Sequence, residues 1–177
     1  MKEKRLHKRT QPGFTLIELL IGFVIFGILA TLAIPTLSSY FRDSKIRRVA
    51  EEMSMGIQLA KSESIRRNNP VLFIPTTTGW SVQAIPEGGG PNIVVATRAA
   101  ESSEAQMTVT VNNPTISFNG SGRSTLAGIF TADITSPSAG TCQAVGGKVR
   151  CLRINVAASG QIRMCDPVLP TTDPQSC

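Results

Sequence analysis

The stretch GFTLIELLIGFVIFGILATLAI, residues 13–34, decides how the rest of this chain is organised. From Phe14 to Ile34 it contains 21 residues and a single charged side chain, Glu18. As an α-helix rising about 1.5 Å per residue, it is long enough for the roughly 30 Å hydrocarbon core of a bilayer. A carboxylate at the centre of such a helix costs about 2.5 to 3.5 kcal/mol. We therefore expect a membrane anchor in which Glu18 is a functional residue that requires a partner.

The start of this stretch resembles the processing site of type IV pilins and of the pseudopilins of type II secretion. The matching residues follow a short basic leader and are Gly13, Phe14, Thr15, Leu16, Ile17 and Glu18. In that family a prepilin peptidase in the membrane cuts after the glycine and methylates the new amino group. The resemblance implies cleavage between Gly13 and Phe14, and pairing of Glu18 with the amino terminus of a neighbouring subunit. Since a buried anion is tolerated when it has a cationic partner, we expect Glu18 to be satisfied only after assembly.

Two plainer interpretations of the apolar stretch remain open. The first is an ordinary secretory signal cut near Ala33, although such signals have an apolar region of 7 to 15 residues, shorter than this one. Glu18 inside the stretch and helical periodicity directly after it also count against that interpretation. The second is a single-span anchor that takes no part in a filament.

Charge distribution gives the expected orientation. The formal net charge is +6, but the leader holds five of the 18 basic side chains and one of the 12 acidic ones. Removal of the leader therefore leaves a net charge of only about +2, which says little about partners. The basic leader favours an amino terminus in the cytoplasm, but Arg42, Lys45, Arg47 and Arg48 beyond the span weaken this bias, so the topology of the family decides the orientation more than the charges do. Together with the topology of the family, this predicts a single-pass protein of the bacterial inner membrane with a periplasmic head.

Helical periodicity continues beyond Pro35. Apolar and small residues recur there at spacings of three and four, at Ile46, Val49, Ala50, Met53, Ile57, Ala60 and Ser64. We predict one long helix from Phe14 to about Arg67, whose first half serves the membrane and whose second half supports a head. The expected segments are a leader (1–13), a membrane or filament-core half of the helix (14–40), an amphipathic half (41–68) and a β-rich head (69–177).

After residue 70 the composition changes towards Val, Ile, Thr, Gly and Pro, which favours short strands separated by turns. The predicted strands are 71–75, 80–85, 93–97, 107–111, 115–118, 126–131, 148–156 and 161–165. We expect an antiparallel sheet folded against the second half of the helix, and hence an α+β fold.

Two later segments resemble the GspH/FimT branch of the pilin family. They are LAKSESIRRNNPV, residues 59–71, and CLRINVAASGQIRMC, residues 151–165. The resemblance implies the pilin fold and assembly with other pilins or pseudopilins. Its function would be that of a minor pilin in a type IV pilus, or of a minor pseudopilin in type II secretion.

The sequence argues against an enzyme and against a metal site. The only histidine, His7, lies in the leader, so the processed chain has no imidazole for a catalytic triad. The four cysteines are Cys142, Cys151, Cys165 and Cys177, and their wide spacing contains no CxxC pair of the kind that holds zinc. We predict no cofactor and no metal.

Disulfides are the expected use of the four cysteines in an oxidising compartment. Four cysteines allow three connectivities. We favour sequential pairing, in which Cys142–Cys151 closes a hairpin and Cys165–Cys177 holds the carboxy-terminal tail.

The region near the carboxy terminus has no carboxylate between Asp133 and Asp166, but it contains Lys148, Arg150, Arg153 and Arg163. A solvated strand face is one interpretation, and a surface for the phosphates of double-stranded DNA is the other. FimT-type minor pilins bind DNA in natural transformation through a Gly-Arg-x-Arg motif. The matching place here is Gly160, Gln161, Ile162, Arg163, which keeps the glycine and the second arginine and has Gln161 for the first.

Overall fold

The computed structural model describes residues 13–76, 79–99, 107–136, 141–147 and 149–177, without the side chains of residues 32–39. Residues 1–12 of the predicted leader therefore lie outside the described residues. The chain divides into two compact units, Met1–Tyr40 and Phe41–Cys177. Helix α1, Leu16–Arg67, contributes to both of them.

In the first unit the apolar side chains described on α1 are exposed, including Phe23, Phe26 and Leu29. Counting only the residues that the structure describes, no helix is both long and apolar enough to cross a membrane.

In the second unit α1 buries one face of its amphipathic half. Ile46, Ala50, Met53, Ile57 and Ala60 are each at most 2% exposed. Their alternating spacing of four and three residues places them on one side of a helix with 3.6 residues per turn. The stripe predicted from the sequence is therefore the face that packs into the core.

In the described ranges, a short 3₁₀-helix (Gln143–Val145) and eight strands complete the fold: β1 (Val71–Thr76), β2 (Gly79–Ala84), β3 (Ile93–Ala99), β4 (Thr108–Val111), β5 (Ile116–Phe118), β6 (Phe130–Thr135), β7 (Leu152–Val156) and β8 (Ile162–Cys165). They form two four-stranded sheets, with orders β3-β2-β1-β5 and β4-β6-β7-β8. Every pair of neighbouring strands is antiparallel.

The α+β fold, with a helix packed on antiparallel sheet, is confirmed. The structure divides the strands between two sheets, whereas the sequence suggested one. One strand is also shifted, because the sequence places it at 126–131 and the structure at Phe130–Thr135. In β6 the buried Phe130, Ala132 and Ile134 alternate with the less buried Thr131, Asp133 and Thr135, which is the pattern of a half-buried strand.

Two contacts hold the helix against the first sheet. A Cβ placed on Gly56 would lie 2.7 Å from the Trp80 ring and 2.9 Å from Phe73, so the absence of a side chain allows α1 to approach β1 and β2. Farther along the sheet, Arg98 of β3 donates two hydrogen bonds to Glu52 of α1, at 2.6 and 2.9 Å. Apolar packing and a bidentate ion pair thus orient the same helix.

Ion pairs within the last turns of α1 stabilise its carboxy-terminal end. Arg66 donates to both carboxylate oxygens of Glu63, at 2.6 and 2.9 Å, and Arg67 donates to one of them at 2.8 Å. These hydrogen bonds, that of Arg66 first, lower the pKa of Glu63 from 4.5 to about 2. The helix ends at Arg67, and the next residue, Asn68, has a positive φ of 49°, a left-handed conformation that asparagine tolerates.

This lowered pKa predicts a pH dependence of stability. A carboxyl group with a folded pKa below its unfolded value stabilises the fold above the unfolded pKa, and the contribution disappears as pH falls through the folded value. We expect the free energy of unfolding of residues 41–177 to exceed that of Glu63→Gln at pH 7, and the difference to shrink from pH 4.5 to pH 2. Urea unfolding across this range measures it.

The matched control is Glu51→Gln, which removes the exposed 2.9 Å ion pair between Arg47 and Glu51. Exposed pairs contribute about 0 to 1 kcal/mol, so this variant should differ little from the parent at either pH. A Glu63→Gln difference that stays constant down to pH 2 would contradict the assignment.

Candidate functional site

The predicted cleavage point lies just before the helix. Gly13, Phe14 and Thr15 are outside regular structure, and α1 begins at Leu16. Phe14 is 90% exposed, and no described atom lies within 4 Å of a Cβ placed on Gly13. An exposed, irregular segment is the kind of backbone that a peptidase can reach.

The structure gives Glu18 a partner inside its own chain. The main-chain N–H and the hydroxyl of Thr15 both donate to Glu18 Oε2 at 3.1 Å, and the Glu18 N–H donates back to Thr15 Oγ1 at 3.3 Å. This reciprocal pattern is a capping box, which satisfies N–H groups that the first turn of a helix leaves unpaired. The expectation that Glu18 is satisfied only after assembly is therefore wrong. The Thr-x-x-Glu spacing was the signal that would have shown it.

The residues predicted to contact DNA lie largely in internal contacts. Arg153 on β7 faces Asp133 on β6 and donates two hydrogen bonds to it, at 2.6 and 2.8 Å. The hydrogen bonds raise the pKa of Arg153 above its usual value. Arg150 donates to Asp166 at 3.1 Å. Asp133 and Asp166 are the carboxylates on either side of the acid-free interval in the sequence. In the folded chain each of them pairs with an arginine from within that interval.

Arg163 on β8 fastens the carboxy-terminal tail. Its guanidinium donates to the main-chain carbonyls of Pro174 and Ser176, at 2.9 and 3.0 Å. The Asp166 N–H also donates to the Gln175 carbonyl at 2.8 Å. The tail thus returns to lie beside β8. Unlike Arg150 and Arg153, Arg163 has neutral oxygens as its described partners, so its charge is not neutralised by them.

Gly160 has a packing role. Its φ is +78°, and a Cβ at this position would overlap the carbonyl of Gly122 in the turn after β5. Its own carbonyl accepts a hydrogen bond of 2.8 Å from Lys61 on α1. The glycine of the predicted motif is therefore required where two turns and the helix meet. The remaining predicted residue, Lys148, lies outside the described residues.

Comparison with known proteins decides the family. The family model described as Type II transport protein GspH matches residues 49–160, more than half of the chain. The chain belongs to the GspH family. A second model, described as the prokaryotic N-terminal methylation motif, matches residues 8–34. The resemblance found in the sequence is thus confirmed. The pilins and pseudopilins of this family are structural proteins rather than enzymes.

Relatives of the GspH-family chain include pilins. It is 38% identical over 68 residues to the type IV major alpha-pilin of Moraxella bovis, covering 38% of this chain and 43% of that protein. It is 30% identical over 95 residues to a fimbrial protein of Pseudomonas aeruginosa, covering 50% and 61%. The chain thus spans less than two thirds of the length of these relatives.

A solved structure shares the fold. The crystal structure of the type IV minor pilin FimU of Pseudomonas aeruginosa has a TM-score of 0.54 to this chain at 18% identity. The similarity covers 78% of this chain and 98% of that one.

The head of this GspH-family chain carries two disulfides. Cys142 pairs with Cys151 and Cys165 with Cys177, with Cα–Cα distances of 5.6 and 5.0 Å. This is the sequential pairing favoured from the sequence. The second disulfide joins the end of β8 to the end of the tail, beside the carbonyls that Arg163 contacts. Among the described residues, no group of three or more His, Cys, Asp or Glu side chains is placed to hold a metal ion.

The packing role of Gly160 predicts the effect of adding a methyl group. Gly160→Ala must both adopt a left-handed conformation and displace the Gly122 carbonyl, so we expect a loss of about 1 to 3 kcal/mol in the free energy of unfolding. Urea unfolding of residues 41–177 measures it. Gly128→Ala is the matched control, because no described atom lies within 4 Å of its added Cβ. Equal midpoints for the two variants would contradict this role.

Proposed function

We propose that this chain is a minor pilin of a type IV pilus system, made as a membrane precursor and assembled into the filament after cleavage. The observation that carries the proposal is the exposed Gly13–Phe14 junction directly before a capped apolar helix, within the matched N-terminal methylation motif. A prepilin peptidase would cut after Gly13 and methylate Phe14. The 21-residue apolar run then holds the subunit in the inner membrane, with the head in the periplasm.

The capping box suggests how Glu18 serves assembly. Before assembly its carboxylate accepts hydrogen bonds from Thr15, two residues into the predicted mature chain. In the filament the positively charged amino terminus of a neighbouring subunit replaces or joins these donors. The hydrogen bonds from Thr15 are already assisted by the charge of the carboxylate, and a cationic donor adds the attraction between opposite charges, which favours the assembled state.

The test separates the charge of Glu18 from its capping role. Glutamine also serves in a capping box, so Glu18→Gln should keep the helix cap while it removes the anion. We expect Glu18→Gln to insert into the membrane and to be processed, but to be missing from sheared filaments in an immunoblot. Thr15→Val is the matched variant, because it removes the hydroxyl and leaves the anion. Normal incorporation of Glu18→Gln would contradict the proposed role.

The alternative within the family is a minor pseudopilin of type II secretion. It would use the same processing, anchor and Glu18 chemistry, with a head that contacts other pseudopilins or exported protein. The matches to the type IV major alpha-pilin of Moraxella bovis and to the fimbrial protein of Pseudomonas aeruginosa favour the pilus.

DNA capture is a second candidate function, and the charge on Arg163 supports it. This guanidinium is exposed and has two carbonyl oxygens as its described partners, so it keeps a net charge that a phosphate could use. Arg150 and Arg153 would have to give up Asp166 and Asp133 first. We therefore propose weak binding that does not depend on DNA sequence, through about one or two phosphates.

Salt dependence tests this number of contacts. With a slope of about −0.9 for each phosphate contact, the logarithm of affinity should fall with the logarithm of salt at about −0.9 to −1.8. Retardation of duplex DNA by residues 41–177 at rising salt measures this slope. Arg163→Gln should weaken binding on every DNA sequence, whereas Arg66→Gln, on the exposed helix end, should not. Absence of retardation at low salt would eliminate DNA capture.

A further inference from the structure

The first turns of α1 in the second unit carry an exposed aromatic ring among cations. Phe41 is 56% exposed, and Arg42 and Arg48 are exposed as well, with Lys45 half-buried. We call these four residues the Phe41 surface. Arg42 and Lys45 form no ion pair with any carboxylate of the described chain.

Of the three cations on this surface, the nearby carboxylates of the described chain pair with Arg48 and not with Arg42 or Lys45. Glu51 accepts from Arg47 at 2.9 Å, and Glu52 is held by Arg98 of β3 at 2.6 Å, with Arg48 farther away at 3.7 Å. Asp43 is the one acid between Phe41 and Arg48 in the sequence. The Phe41 surface therefore keeps an excess of positive charge.

The orientation of these side chains is fixed by the core. Phe41, Lys45 and Arg48 follow one another at spacings of four and three residues, which places them on one side of the helix. Ile46 and Ala50, at 1% and 0% exposure, lie on another side and pack into the head. Rotation of the helix that would bury the Phe41 surface would expose this core.

We propose that the Phe41 surface binds the phosphates of anionic membrane lipids, with the Phe41 ring at the level of the headgroups. The inference rests on the proposed function, because it needs the apolar run as an anchor. That run ends at Ile34, seven residues before Phe41. Lys and Arg on one side of a helix with an exposed phenylalanine beside them are typical of a helix that lies at a membrane surface.

A lipid surface fits these residues better than the carboxylates of another protein. Ion pairs to a protein partner would explain the two cations. They would not explain why a phenylalanine is exposed between the apolar run and those cations. At a bilayer surface the ring enters the headgroup region while Arg42 and Lys45 reach phosphates with their long side chains. Contact with lipid would hold the base of the head on the bilayer until the subunit enters a filament.

The experiment uses the full chain with Phe41→Trp, reconstituted in vesicles of phosphatidylcholine alone or with phosphatidylglycerol. Acrylamide, a neutral quencher, reports access to the introduced indole, and the parent chain with Trp80 alone supplies the background emission. We expect a blue-shifted emission and reduced quenching in the anionic vesicles, both reversed by high salt. Each cation near such a surface is worth about fivefold in binding, so Arg42→Gln/Lys45→Gln should shift the bound-to-free ratio about thirty-fold.

The matched control is Arg66→Gln/Arg123→Gln, which removes the same charge from exposed positions outside the Phe41 surface and should leave the protection intact. If quenching is equal in the two kinds of vesicle and the chain resists carbonate extraction, the lipid contact is overturned and the proposed membrane anchor is not. Release of the chain by carbonate would overturn the anchor, and with it both proposals. Equal protection in neutral vesicles supplied with inorganic phosphate would also overturn the lipid assignment.

Discussion

A carboxylate in the first turn of an apolar helix must have hydrogen-bond donors, and much of this molecule's chemistry follows from that constraint. Glu18 satisfies it within its own chain through Thr15, so the free subunit carries no unpaired acid at its amino end. The same geometry keeps the carboxylate beside the amino terminus that cleavage at Gly13 would create. On the proposed function, assembly does not rescue an unsatisfied group. It offers the same carboxylate a charged donor, and the gain is the attraction between the two opposite charges.

The head shows the same use of charge in a different setting. Arg153 with Asp133, Arg150 with Asp166, Arg98 with Glu52 and Arg163 with the tail carbonyls all join segments that are distant in sequence. Three of these contacts hold the second sheet and the tail that follows it. A strand face rich in arginine is therefore not by itself a nucleic-acid surface, because the acids that neutralise it can come from neighbouring strands. On the lipid contact proposed above, the cations that bind are Arg42 and Lys45, to which no carboxylate of the described residues is paired.

The sequence predicted the parts of the fold that periodicity controls. The spacing of Ile46, Ala50, Met53, Ile57 and Ala60 identified the buried face of α1, because that signal is local. The position of β6 was missed although its alternation of apolar and polar residues is a local signal, whereas the ion pair of Asp133 with Arg153, 20 residues farther along the chain, has no such signal. The Thr15–Glu18 cap could be predicted from its spacing. The contact between Gly160 and Gly122 could not, because no local sequence pattern indicates which turns pack together. Division of the strands between two sheets likewise depends on pairing that a strand prediction does not contain.

On the proposed function, the working form of this chain is a processed pilin subunit that begins at Phe14 with its apolar helix retained. Mass spectrometry of the chain recovered from sheared filaments, with sequencing of its first peptide, tests it most directly. The account predicts an amino-terminal N-methylphenylalanine at position 14 and the loss of residues 1–13. A chain that begins at Ile34 or later, or one that still carries Met1 to Gly13, would contradict it.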